Sequence, residues 1–159
     1  MRLARTLRFD ESDVRVFSRP AEPGEWAISG GFQFSNWTDA EIVGQARQDF
    51  ANGWLGLESF GRATFVAVAE ITEAEYAGLI DALAAHFVVA YGAPTLEAAR
   101  PIAEEELRFM REMCDDHDPN TLLAVERSLV ASGVSESFRA IQPTEAGLDI
   151  VAIHGDRGD

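Results

Sequence analysis

The chain has 159 residues, 47% of them hydrophobic, and carries 13 Lys+Arg against 27 Asp+Glu for a formal net charge of -14. That field argues against nucleic acid and anionic lipid as partners, because both are held mainly by cationic patches. No run reaches the roughly 18 apolar residues of a membrane span, and the absence of lysine excludes Schiff-base and phosphate-loop lysine chemistry.

The opening "MRLARTLRFD" has no apolar stretch of the kind a secretory signal carries. A single cysteine forms no internal disulfide, which fits a cytoplasmic protein. "LARTLRF" (3–9), the loop "DESD" and "VRVFS" (14–18) read as a hairpin. A Pro- and Gly-containing loop leads to "WAISGGFQF" (26–34), where Trp26, Ile28, Phe32 and Phe34 recur at period two. Gly30-Gly31 there marks a bulge or a close neighbour.

"WTDAEI" (37–42) and "ITEAEY" (71–76) each combine a Thr N-cap, a Glu three residues on and flanking apolar residues. They predict helices starting at Thr38 and Thr72. The first would bury Ile42, Val43, Ala46 and Phe50 and stop at Asn52-Gly53. The second would bury Tyr76, Leu79, Ile80, Leu83 and Phe87 and stop at Gly92. Between them "RATFVAVAEI" (62–71) has the length and apolar continuity of a central strand. A short turn over 95–99 and a third helix over 101–114 follow, since proline is tolerated in a first helical turn. Alternation in "TLLAVERSLVASGVSESFRAIQP" (121–143), with a turn at Ser132-Gly133, gives a last hairpin.

These elements, in the order βββ-α-β-αα-ββ, predict an α+β fold: a largely antiparallel sheet with about three helices on one face. Residues 1–143 form one domain, and 144–159 form a C-terminal tail, partly ordered at most.

The most suggestive cluster is "MCDDHDP" (113–119). On a continuous helix Cys114 would share a face with His117 and Asp118, ligand types suited to zinc. Three aspartates oppose the helix dipole there, and Pro119 pushes Asp118 out of helical geometry. The cluster is therefore read as a helix end, with Cys114 packed as a small apolar group and no cofactor or metal expected. "NGWLGLESFGRATF" (52–65) combines three glycines, Trp54, Leu57 and Phe60 in a predicted loop, and Arg62. It reads first as a core plug or subunit interface. The alternative is a pocket for an organic anion lined by Trp54, Phe60, Arg62 and His86. Glu126, Arg127, Glu136 and Arg139 are placed on exposed strand positions as cross-strand ion pairs, and Glu104 to Glu106 on a solvated helix face.

"LARTLRFDESD", "RPAEPGEWAISGGFQFS", "ANGWLGLESFGRATFVAVAE" and "TLLAVERSL" resemble a family of small acidic bacterial proteins known only as a domain of unknown function. The resemblance spans roughly residues 2–142. It implies at most an accessory role and assigns no catalytic residue.

The expectation is therefore a non-enzymatic accessory or protein-interaction domain. The other reading is a small-molecule-binding domain or unrecognised enzyme. A homo-oligomer is expected, most simply a homodimer, held either by the loop aromatics or by the Arg-rich first strand meeting the acidic 95–118 segment across the interface; those two segments could equally pair within one protomer.

Overall fold

A computed structural model of the chain describes residues 1–8 and 15–141. The expected "DESD" turn and the 144–159 tail lie outside those residues. The fold is α+β. Seven antiparallel strands, β1 (Arg2–Leu7), β2 (Trp26–Ile28), β3 (Trp54–Gly56), β4 (Arg62–Ala63), β5 (Phe65–Glu70), β6 (Leu122–Val130) and β7 (Gly133–Ile141), form one sheet in the order β4-β3-β2-β1-β5-β6-β7. Three α-helices fully within the described residues accompany it: α1 (Gly44–Asn52), α2 (Glu73–Tyr91) and α3 (Leu96–Asp115).

The sheet curls. Adjacent strands lie about 4.8 Å apart, so β3 and β7, five positions apart in the order, would be about 24 Å apart if the sheet were flat. Yet the rings of Trp54 on β3 and Phe138 on β7 have centroids 5.7 Å apart. Ser29, just beyond β2, donates from Oγ to Glu136 Oε2 on β7 at 2.8 Å. The core fills the curl with Leu3, Ala4, Val66, Val68, Leu123 and Val125 from the strands and Leu83, Leu107 and Met110 from α2 and α3.

β1 and β5 are the middle of the sheet, in register from Arg2↔Glu70 to Leu7↔Phe65. Of the apolar run 62–71 expected as one central strand, residues 65–70 form the central β5, while Arg62–Ala63 form the separate edge strand β4 on the far side of Thr64. Of the expected 14–18 strand, the described residues 15–18 are not a strand: residues 15 and 16 have helical geometry, and the antiparallel neighbours of β1 are β2 and β5. Phe17 is buried all the same.

Period two also misleads after Ile28. Gly30 has φ 73, and a Cβ there would sit 2.5 Å from Leu55 Cβ and 2.7 Å from an Arg62 Nη. The close neighbour expected at Gly30-Gly31 is real, and the chain turns there into a 3-10 helix over Gly31–Phe34.

The two capping boxes part ways. At Thr72 the Glu75 N–H donates to Thr72 Oγ1, and the Thr72 N–H to Glu75 Oε1, both at 3.1 Å. Helix α2 follows and ends at Gly92, as expected. At Thr38 the N–H donates to Glu41 Oε1 at 2.6 Å, but only a turn forms. Val43 is extended and Gly44 has φ 59, so α1 starts at Gly44 and leaves Val43 exposed. Sequence-local capping cannot carry a helix past a residue held left-handed.

Helix α3 is one continuous element from an N-cap at Thr95, whose Oγ1 accepts the Ala98 N–H at 3.0 Å. It starts earlier than 101, and Pro101 sits inside it. Basic and acidic segments meet within the protomer: the Arg2 N–H donates to Asp115 Oδ1 at 3.0 Å, and its guanidinium lies 3.6 Å from Glu70. No helix among the described residues is long and apolar enough to cross a membrane by itself.

Candidate functional site

The stretch 52–65 is not an exposed loop but the β3–β4 hairpin, with Trp54 paired to Ala63 and Leu55 to Arg62. Trp54 and Leu55 of β3 and Leu57 just beyond it are all buried, so both faces of this short strand are covered. The turn between the strands is built on Glu25, only 2% exposed. Its Oε1 accepts the N–H groups of Glu58 and Ser59, both at 2.9 Å, and its Oε2 accepts the Ser59 hydroxyl at 2.6 Å and the Glu22 N–H at 2.7 Å. Burial alone raises the Glu25 pKa. The Ser59 hydroxyl and the three amides outweigh it and hold the carboxyl below its ordinary range.

That turn sets Phe60 at φ 57, a left-handed conformation costly for an aromatic residue. The conformation lays the ring flat on His86 of α2, with centroids 3.7 Å apart and planes 3° apart, while Tyr91 meets His86 edge-on at 5.6 Å. Desolvation, with the charge of Arg19 adding to it, lowers the His86 pKa, so the imidazole is neutral at pH 7.

Beneath this stack lies Arg62, 3% exposed. One Nη donates to the carbonyls of Ser29 (3.3 Å) and Gly53 (3.1 Å). The other donates to the carbonyl of Gly30 (3.1 Å) and to Gln33 Oε1 (2.5 Å). Its guanidinium also stands over the Phe34 ring at 4.7 Å. No carboxylate among the described residues comes within ion-pair distance of it. Desolvation first, and the charge of Arg127 second, pull its pKa down to about 9, partly opposed by Asp49.

Arg127 is the residue that sequence reasoning placed outside. It is 5% exposed, with Nε donating to Glu136 at 2.6 Å and its Nη groups to the carbonyls of Phe50, Gly53 and Ser29. The cross-strand pair with Glu136 is as expected, in register on β6 and β7. The signal for burial was present: Arg127 continues the alternation of Leu123 and Val125, the inward residues of β6.

Phe60, Arg62 and His86 thus line one cavity of about 440 Å³, with Arg19, Gln33, Trp37, Asp49 and Tyr91 among its other walls. Trp54, the fourth residue of the expected pocket, is in the core and not part of that wall. Arg62 contributes charge rather than free donors, since each Nη already serves two acceptors. Arg19, exposed and bound through one Nη to the Ser59 carbonyl at 3.1 Å, is the cation with donors to offer.

The 113–119 cluster is pulled apart. Cys114 is fully buried in the core, where burial and then Asp115 push its thiol up to about 12. The His117 N–H donates to the Cys114 carbonyl, and the Asp118 carbonyl accepts the Thr121 N–H. Helix α3 ends at Asp115, so His117 and Asp118 do not share a helical face with Cys114. Among the described residues no three His, Cys, Asp or Glu side chains converge to hold a metal ion.

The chain belongs to a family of unknown function, DUF6505, whose model matches residues 1–159. Comparison with the curated proteins and with the solved structures finds no match.

Proposed function

We propose that this member of the family is a non-enzymatic accessory protein that binds a small organic anion in the cavity under the Phe60–His86 stack. The observation that carries the reading is Arg62. A guanidinium taken out of water without a carboxylate at ion-pair distance is held by carbonyl oxygens and the face of Phe34, and its remaining desolvation cost is one that a bound anion would offset. Aromatic walls of Trp37, Phe60 and Tyr91 give a ligand apolar contact, and Arg19 at the rim gives it hydrogen bonds. Neutral His86, stacked on Phe60 and met edge-on by Tyr91, is a wall and a hydrogen-bond partner rather than a charged group.

The test is a thermal-shift screen with aliphatic and aromatic mono- and dicarboxylates, followed by calorimetric titration of any hit. A ligand at 100 times its Kd stabilises by about 2.7 kcal/mol, a shift of roughly 5–10 °C for a domain of this size. Arg19→Ala and His86→Ala should each weaken binding of that ligand about tenfold, since each removes a contact of order 1.4 kcal/mol. A panel that leaves Tm unchanged at millimolar concentration, or a hit that binds both variants as tightly, overturns the proposal.

A further inference from the structure

A second feature, separate from that cavity, lies at the opposite margin of the sheet. Strand β7 is an edge: nine residues long, it pairs with β6 alone among the described residues. Its register fixes which main-chain groups are used. Val130 faces Gly133 across the two-residue turn Ala131-Ser132, the narrow hydrogen-bonded pair that closes a tight hairpin. The odd-numbered residues of β7 therefore bond to β6. Val134, Glu136, Phe138 and Ala140 turn their N–H and C=O groups outward.

Edges of this length are ordinarily blunted by charged side chains, proline, a bulge, brevity or a covering segment, and β7 carries Glu136 and Arg139. The other margin, β4, is two residues long. β7 has no proline or lysine, and its pairing runs from Gly133 to Ile141 without a bulge.

What lies beside this edge is a groove rather than open solvent. A cavity of about 550 Å³ is lined by Gly133, Val134 and Glu136 from the first half of β7, by Glu105, Glu106 and Phe109 of α3 and by Phe32. Beside three serines, its charged side chains are all acidic. Glu136 is shared between Arg127 and Ser29, and Glu105 pairs with Arg108 on its own helix. Glu106, half-buried, has its pKa raised by desolvation and by the charges of Glu136 and Glu105.

We propose that this groove receives an extended, arginine- or lysine-bearing segment of a partner protein, which adds to β7 as an eighth strand. Its backbone bonds to the four outward residues, and its inward side chains alternate between the carboxylates and the rings of Phe32 and Phe109. Backbone pairing supplies affinity in such strand addition, and the alternate side chains supply selectivity. A partner of opposite sign suits a chain of net charge -14.

The probe is a fluorescein-labelled eight-residue peptide of alternating arginine and valine, followed by fluorescence anisotropy. We expect saturable binding that weakens as salt rises. It should fall about tenfold or more when alternate peptide nitrogens are methylated, or in Val134→Pro, since each removes edge hydrogen bonds. Glu105→Gln with Glu106→Gln, on the face of α3, should weaken it by a similar factor, and a glutamate-for-arginine peptide should not bind. If Val134→Pro does not fold by circular dichroism, the methylated peptide against the unaltered protein decides alone. The proposal fails if the arginine–valine peptide does not bind, or if its methylated form binds equally well. It also fails if Val134→Pro only turns a dimer into a monomer in sedimentation velocity with no peptide bound, for then the edge pairs with a second copy of the chain.

Discussion

Arg62 and Arg127, on strands that are not neighbours in the sheet, donate to the same two carbonyls, those of Ser29 and Gly53. Two like charges share acceptors because the ring of Phe34 stands near both, 4.7 and 5.1 Å from the two guanidinium carbons, and Glu136 is bound to one of them. This knot ties β6 to the β2 and β3 side of the curled sheet. Arg127→Ala leaves Glu136 without its buried partner, takes the donor from the Phe50 carbonyl and leaves the carbonyls of Ser29 and Gly53 to Arg62 alone. The expected loss of stability is about 3–5 kcal/mol by urea denaturation. Arg127→Lys should recover little of it, because one ammonium cannot reach acceptors arranged for a planar fork. A loss below about 1 kcal/mol in Arg127→Ala would reduce the knot to an ordinary surface pair.

Glu25 gives a pH signature. Its folded-state pKa is below the ordinary value, so its contribution is fully present above the unfolded glutamate pKa of about 4.3. It is lost as pH falls below that through the folded value. Glu25→Gln should cost about 2 kcal/mol at pH 7, since an amide cannot accept from all four donors. The gap in Tm between the two proteins should narrow as pH drops from about 5 toward 3. A gap that is constant over that range would mean the carboxylate is not what organises the β3–β4 turn.

Pro101 is a local fault in α3. It sits at the sixth residue of a helix that begins at Leu96, past the first turn, where its ring removes a main-chain donor to Glu97. The residue is exposed, so no packing depends on it. Pro101→Ala should stabilise the fold by about 1–3 kcal/mol in chemical denaturation, below or up to the full propensity difference. No gain would mean that proline's restriction of the unfolded chain offsets the main-chain bond it removes.

What the sequence revealed was decided locally. Thr72, Glu75 and Gly92 define α2 through contacts within a few residues, and the helix is where they place it. The apolar continuity of 65–70 follows from cover on both sheet faces, and that strand is central. What the sequence concealed depends on residues far away. Arg127 looks like an exposed strand residue until the curl brings the carbonyls of Ser29 and Gly53 to it. The three glycines of 52–65 read as a loop because the donors that shape the turn answer to Glu25, outside the segment. Of the expected pocket, Phe60, Arg62 and His86 do converge, but Trp54 is buried in the core against Phe138 of β7, a neighbour that only the curl of the sheet supplies.

The register of the central strands also sets an order of events during synthesis. β1 is made before both strands that flank it, β2 and β5, and Glu70 of β5 pairs with its Arg2. Until the chain has been extended beyond residue 70 and has cleared the ribosome, β1 has at most its short partner β2. β5 gains its second neighbour only when β6 arrives. The sheet cannot grow outward from a local hairpin at its centre, and closing such long loops slows folding toward the millisecond-to-second range of β-rich domains. The β6–β7 hairpin, joined by its own two-residue turn, is the one long pair in the sheet that forms without waiting for a distant segment.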